Sequence, residues 1–277
     1  MTARFPVSRP RRLRTTAAMR DLVAETRLGV DDLVAPLFVR EGIDSPVPIT
    51  SLPGVVQHSR SSVRDEVRRL ADLGIKAVIL FGVPAVKDDI GSGAFDPDGI
   101  VQLTLSDLRN DLGDRVVLMA DLCVDEYTSH GHCGILDGHG SVDNDKTLDI
   151  YARAAVAQAN AGAHVCAPSG MMDGQVGVIR AALDAAGHTS TAILAYSAKY
   201  ASGLYGPFRD AVDVQIIGGG DRKGYQQDWR NAREAMVEVV ADIEQGADMV
   251  MVKPAVAYLD VIAAVRWARE NEWRLAV

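Results

Sequence analysis

Cysteine is scarce in this 277-residue chain, long apolar runs are missing, and basic charge is outweighed. Three cysteines make no disulfide framework and suit a reducing, cytoplasmic compartment. Apolar runs such as AVILFG (77–82) and VVLMADL (116–122) are too short to span a bilayer. No apolar signal-peptide core stands near the start. The formal net charge of -8 argues against general nucleic-acid binding. No internal repeat or low-complexity tract interrupts the chain. What remains, 48% apolar and 24% charged, is a globular composition.

The acid deficit of the first twenty residues runs the other way. Arg4, Arg9, Arg11, Arg12, Arg14 and Arg20 occur there without one carboxylate. Pro6 and Pro10 oppose a helix, so residues 1–30 are expected to form an extended basic arm on an acidic neighbouring surface. A transit peptide is the alternative reading.

From Leu33 onward, strand-like runs alternate with amphipathic stretches. LVAPLFV (33–39), AVILFG, VVLMADL, AHVCAPS (163–169), AILAYS (192–197) and MVMVKP (249–254) suit strands buried on both faces. Helical patterns lie at 63–74, 148–162, 177–187, 231–246 and 260–272, several stopping at a glycine. Such alternation means a parallel sheet. Without a dinucleotide-type glycine fingerprint after the first strand, the pattern favours an α/β fold of the (β/α)₈ TIM-barrel type over residues 31–277. The final WRLAV reads as the start of a seventh strand. Eight are needed, so the chain is expected to be a C-terminally incomplete version of a longer protein.

In such a barrel, chemistry sits where strands end. Those positions are Asp121, Ser169, Lys199 and Lys253. Two lysines at one barrel mouth are expected to depress each other's pKa, with burial acting in the same direction. A neutral lysine attacks a ketone or aldehyde and forms a Schiff base. The plainer reading is that each lysine snorkels at a surface loop. Arg209, Arg222, Lys223 and Gln226 follow, and arginine offers a fork to a carboxylate. GGGDRKGYQQ (218–227) reads as a loop that closes over a site, or as an ordinary solvated loop. DLCVDEYTSHGHCG (121–134) gathers Cys123, Asp125 and Cys133 with His130 and His132 between them, a candidate metal site.

APLFVREG (35–42), FGVPAVKDDIGSGAFDPDGIVQ (81–102), DEYTSHGHCGILDG (125–138), YSAKYASGLYGPFR (196–209) and MVMVKPAVAYLD (249–260) together resemble the porphobilinogen synthase (5-aminolevulinate dehydratase) family. The likeness runs in order from about Leu33 to Trp267. It implies a barrel lyase of tetrapyrrole (heme) biosynthesis. The family condenses two 5-aminolevulinate molecules to porphobilinogen with loss of two waters, usually as a homo-octamer whose arms wrap neighbouring subunits. By resemblance, Lys253 forms the Schiff base with the first substrate and Lys199 is the second active-site lysine. Arg209, Arg222 and Gln226 match lid groups for the second substrate's carboxylate, and Asp121 and Ser169 match pocket-lining residues. Zinc-using members carry cysteines at the positions of Cys123, Asp125 and Cys133, so this Cys-Asp-Cys set is a hybrid. Two thiolates and a carboxylate remain acceptable zinc ligands, though a harder set is less selective for soft metals. Glu238 matches a glutamate that binds allosteric magnesium in many bacterial members.

Departures from the family are equally specific. Gly170 stands where aspartate is usual, Gln175 where arginine is usual, and VDVQIIGGG (212–220) differs from the typical lid. The aspartate's loss is expected to lower activity and the arginine's to weaken a subunit contact. The family's last strands also supply a serine and a tyrosine for the first substrate's carboxylate. Neither is in this chain, so low or no activity is expected of it. Two alternatives stand beside the synthase reading: a class I aldolase-like Schiff-base barrel, and a non-catalytic homologue acting through subunit assembly.

Overall fold

The computed structural model describes residues 4–217 and 220–270. The strands are β1 (Val34–Arg40), β2 (Val47–Pro48), β3 (Val56–His58), β4 (Ala77–Val83), β5 (Val117–Leu122), β6 (Val165–Pro168), β7 (Ala192–Lys199) and β8 (Met249–Lys253). The helices are α1 (Ala17–Leu22), α2 (Arg60–Asp72), α3 (Ile100–Leu112), α4 (Asn144–Asn160), α5 (Gln175–Ala185), α6 (Gly206–Ala211), α7 (Ala232–Glu244) and α8 (Leu259–Glu270). One sheet runs in the order β2-β3-β1-β4-β5-β6-β7-β8. Six strands are parallel and sequential, with helices between them, the repeating unit of a (β/α) barrel. The short β2 and β3, which pair antiparallel at the β1 edge, were not anticipated. The WRLAV strand lies outside the described residues.

Alternation along β4 shows why its sequence is apolar throughout. Val78 and Leu80 pack outward with Val63 and Val67 of α2 and with Leu105 and Leu108 of α3. Ala77, Ile79 and Phe81 point to the other face, with Phe38, Met119, Val165 and Leu194. A strand buried on both faces has no polar side to show. Helices α2, α4, α5 and α7 are followed by Gly74, Gly162, Gly187 and Gly246 at φ between +86° and +106°, the left-handed stop that the sequence suggested.

Two expectations need correction. Helix α3 was not foreseen: its Ile100, Val101, Leu105 and Leu108 are buried, but this stretch follows a glycine- and aspartate-rich loop that masked its period. Removing the side chain of Leu105, fully buried beneath the sheet, is expected to cost about 2–5 kcal/mol. A lowered chemical-denaturation midpoint for Leu105→Ala would report it. The N-terminal segment is also not simply extended. It holds a 3₁₀ turn at Pro10–Arg14 and the short α1. Pro10 starts that turn, where a missing N–H costs nothing. From Arg4 to Leu28 only Ser8 and Met19 are even half-buried. Among the described residues no helix is long and apolar enough to cross a membrane.

Candidate active site

The C-terminal strand ends converge on one polar cavity. Asp121 lies in β5, Ser169 directly follows β6, and Lys199 and Lys253 are the last residues of β7 and β8. Register places Lys199 opposite Lys253, because a bulge between Ala195 and Ala198 adds one residue to β7. Bulges next to active sites re-aim side chains in this way. Ser169, Lys199 and Lys253 line this cavity with Asp125, Glu126, Tyr205, Phe208, Arg209, Arg222 and Gln226, and Asp121 stands behind it, bonded to Ser169.

The lysines differ in environment, contrary to the expectation that each depresses the other. Lys253 Nζ lies 4.3 Å from the Phe208 ring centre, 5.1 Å from Tyr196 and 5.4 Å from Tyr205. Burial, then repulsion from Lys199, lowers its pKa from 10.5 to about 8. Lys199 Nζ donates to the Ser169 carbonyl oxygen at 2.5 Å. Burial pulls Lys199 down, but Cys133, Cys123, Asp125 and Asp121 together outweigh that, so it stays above its ordinary value. One amine is made easier to deprotonate and the other is held as a cation. Neither snorkels: Lys199 is 6% exposed.

Around them the carboxyls are perturbed too. Burial raises Asp121 to about 6 against the pull of both lysines, and Ser169 Oγ donates to its Oδ2 at 3.1 Å. Glu126, which sequence reading passed over, is 2% exposed, and burial beside Asp125 and Asp121 pushes its carboxyl well up. Its only sequence signal was an acid inside an otherwise buried loop. Glu126 Oε2, the Tyr205 hydroxyl, Arg222 Nε and Gln226 Nε2 are buried with no protein partner. Native interiors leave few such atoms unpaired. Four around one cavity mark a place for a polar ligand.

Gly220–Gln227 folds over this cluster, while Gly218 and Gly219 lie outside the described residues. Arg222 Nη2 donates to Asp125 Oδ2 at 2.8 Å and to the Gly131 carbonyl at 2.9 Å. Gln226 is buried, and Arg209 of α6 is half-buried at the same mouth. The segment before it is anchored by Ile217, whose N–H bonds the His130 carbonyl, and by Arg40 with Asp213.

Cys123, Asp125 and Cys133 are buried, with ligand atoms all within 4.8 Å of one another. Tetrahedral bonds of about 2.0–2.3 Å set donors roughly 3.3–3.8 Å apart, so the set fits such an ion with little movement. Burial and a hydrogen bond to Cys133 push the Cys123 thiol well up, while that same bond lowers Cys133. A cation bound there would displace thiol protons. His130 and His132 are not in the triad; His132 Nδ1 meets the Tyr225 hydroxyl at 3.2 Å. Glu238 lies apart, in a cleft with Asn144, Asp173 and Glu234. Burial, then Asp242 and Asp173, raises its carboxyl to about 7. No other group of three such ligands occurs among the described residues.

The two altered positions have local explanations. Gln175, first residue of α5, is 2% exposed and accepts from the Met172 N–H, an internal role. Gly170 faces Tyr151, whose hydroxyl oxygen would lie 1.7 Å from any Cβ there.

Comparison with known proteins agrees over nearly the whole chain. The family described as "Delta-aminolevulinic acid dehydratase" matches residues 7–273. A protein of that name from Streptomyces coelicolor is 57% identical over 268 residues, 96% of this chain and 81% of its own length. Its namesake from Mycobacterium tuberculosis H37Rv is 57% identical over 262 residues, 94% and 79% of the two chains. A Toxoplasma gondii delta-aminolevulinic acid dehydratase, solved with its product porphobilinogen, superposes with a TM-score of 0.93 at 43% identity. That alignment covers 97% of this chain and 75% of the other.

Proposed function

The chain belongs to the delta-aminolevulinic acid dehydratase family, and from that premise we propose how its own residues act as a porphobilinogen synthase. The enzyme is a lyase that condenses two 5-aminolevulinate molecules to porphobilinogen with loss of two waters. The aldolase-like and non-catalytic readings are not favoured, since the match extends across the site motifs as well as the fold.

The observation that carries the mechanism is the unequal lysine pair. Near neutral pH about a tenth of Lys253 is the free amine, given its value of about 8. That amine adds to the ketone carbon of the first substrate. The carbonyl oxygen leaves as water, leaving an iminium on Nζ. Asp121, raised to about 6 and electrostatically coupled to both lysines, is the group suited to exchange the protons of this dehydration. Lys199, kept cationic against the Ser169 carbonyl, orients the second molecule and polarises its carbonyl, and it forms its own imine only after giving a proton to a neighbouring carboxylate such as Asp121. Arg209, Arg222 and Gln226 receive the second carboxylate, and the loop they partly belong to excludes water. Holding two small molecules in contact geometry is largely an entropic task, and covalent tethering accomplishes it.

Zinc is the ion this reading assigns to Cys123, Asp125 and Cys133, where it would supply a Lewis acid beside the second substrate. Magnesium at Glu238, needing few protein ligands, is the allosteric counterpart. The exposed basic arm fits a homo-octamer in which it lies on a neighbouring copy, in the cytoplasm.

Borohydride reduction in the presence of 5-aminolevulinate, followed by peptide mapping, tests the assignment. An adduct on Lys253 is expected; a folded protein with no lysine adduct overturns the mechanism.

A further inference from the structure

Tyr151 is placed where nothing in the reaction scheme requires a phenol. It lies in the middle of α4, is fully buried, and points its hydroxyl at the Cys-Asp-Cys loop. That hydroxyl donates to the Cys133 carbonyl oxygen at 2.8 Å and stands 3.5 Å from Cys123 Sγ. It thus touches both cysteine residues of the triad, one through its backbone and one through its sulfur. The space it occupies exists because residue 170 has no side chain: a Cβ on Gly170 would meet the hydroxyl oxygen at 1.7 Å and Cζ at 2.6 Å. Contacts so short cannot be relieved without moving the ring, and the ring is enclosed by the core formed with Ile150, Ala154, Ala155 and Met172.

We infer that Tyr151, admitted by Gly170, is a positioning residue for the metal-binding triad, bracing the Cys123 and Cys133 donors. The inference rests on the assignment of a metal to Cys123, Asp125 and Cys133. Its physical basis is that a three-donor set with only two thiolates depends more on how those thiolates are held. A phenol that bonds the Cys133 carbonyl fixes the backbone carrying one sulfur. The same phenol near the other sulfur tunes its donor strength, as groups around metal ligands commonly do. Gly170 and Tyr151 therefore form a unit. A carboxylate at residue 170 and this phenol cannot share the space, so the departure at Gly170 is steric accommodation of a different support.

The test uses the full chain stripped with a chelator and titrated with cobalt(II) as a spectroscopic probe, then with zinc in competition. Tyr151→Phe keeps the ring and its packing and removes only the hydroxyl. The expected result is cobalt and zinc affinity lowered about 10–100-fold with a changed sulfur-to-cobalt absorption band. The circular dichroism spectrum and the Lys253 borohydride adduct should persist. Gly170→Ala, which pushes the hydroxyl off its partners, should lower metal affinity at least as far, and adding Tyr151→Leu should not bring affinity above that of Tyr151→Phe, because the bracing hydroxyl is then gone altogether. A folded Tyr151→Phe protein with the parent's affinity and band overturns the inference while leaving the metal assignment intact. A parent chain that shows no sulfur-to-cobalt band overturns the metal assignment and this inference with it.

Discussion

Lys253→Ala is expected to lower porphobilinogen formation by about 10³-fold or more and to abolish the adduct trapped at that position. Stability should change little at the strand end, so the loss will be in chemistry. A companion result concerns pH. Burial and Lys199 bring Lys253 down to about 8, so the reactive free amine grows as pH rises from 7 to 9 and falls tenfold per unit below that range. The rate of adduct formation should follow this curve. A rate that is flat over that range, or a variant lacking Lys253 that still turns over normally, would remove Lys253 from the nucleophile's role. Lys199 is expected to behave differently. Its ammonium is stabilised by the acidic groups around it, so Lys199→Gln should impair the second imine while the Lys253 adduct still forms.

Arg222→Met should produce the second large effect, in two separable measurements. Side chains of Arg222 and Asp125 are only 10% and 6% exposed, and removing one member of such a pair leaves a buried charge. The cost is about 3–5 kcal/mol near neutral pH. Burial pushes the Asp125 carboxyl up, but Arg222 and Lys199 overrule it and hold it well below the usual range. Because its folded value is depressed, the pair's contribution is present above the unfolded value of about 3.9 and is lost as pH falls through the folded one. The gap in denaturation midpoint between metal-free parent and variant should therefore be widest above about pH 5 and narrow on acidification. The substrate KM should also rise, by about 10²-fold, as a charged contact to the carboxylate is lost. An unchanged KM would mean that Arg222 serves Asp125 alone and that Arg209 binds the carboxylate.

Much of this molecule could be read from the order of its residues. Strands buried on both faces announce themselves as Val, Ile and Leu runs, since neither face can be polar, and β4, buried along its whole length, is such a run. Glycines at the helix ends fix the stops, because only they enter the left-handed region without strain. Asp121, Ser169, Lys199 and Lys253 were legible as strand-end polar residues, and in this architecture strand ends share one face. Cys123, Asp125 and Cys133 were legible as a close group of ligand types.

Other features were settled only by the tertiary structure. Which lysine is the easier to deprotonate depends on neighbours distant in sequence: Phe208 and the tyrosines around Lys253, and the acidic groups around Lys199. Their facing register depends on one bulged residue in β7, without which Lys199 would stand opposite Pro254. The pairing of Arg222 with Asp125 spans 97 residues. Gly170 read as a lost carboxylate until Tyr151, from a helix earlier in the chain, was seen to fill its place. Sequence pattern reports what one segment buries and where it turns, because those follow from local periodicity and backbone sterics. Charge state and occupied volume belong to the packed neighbours, and only the fold brings those together.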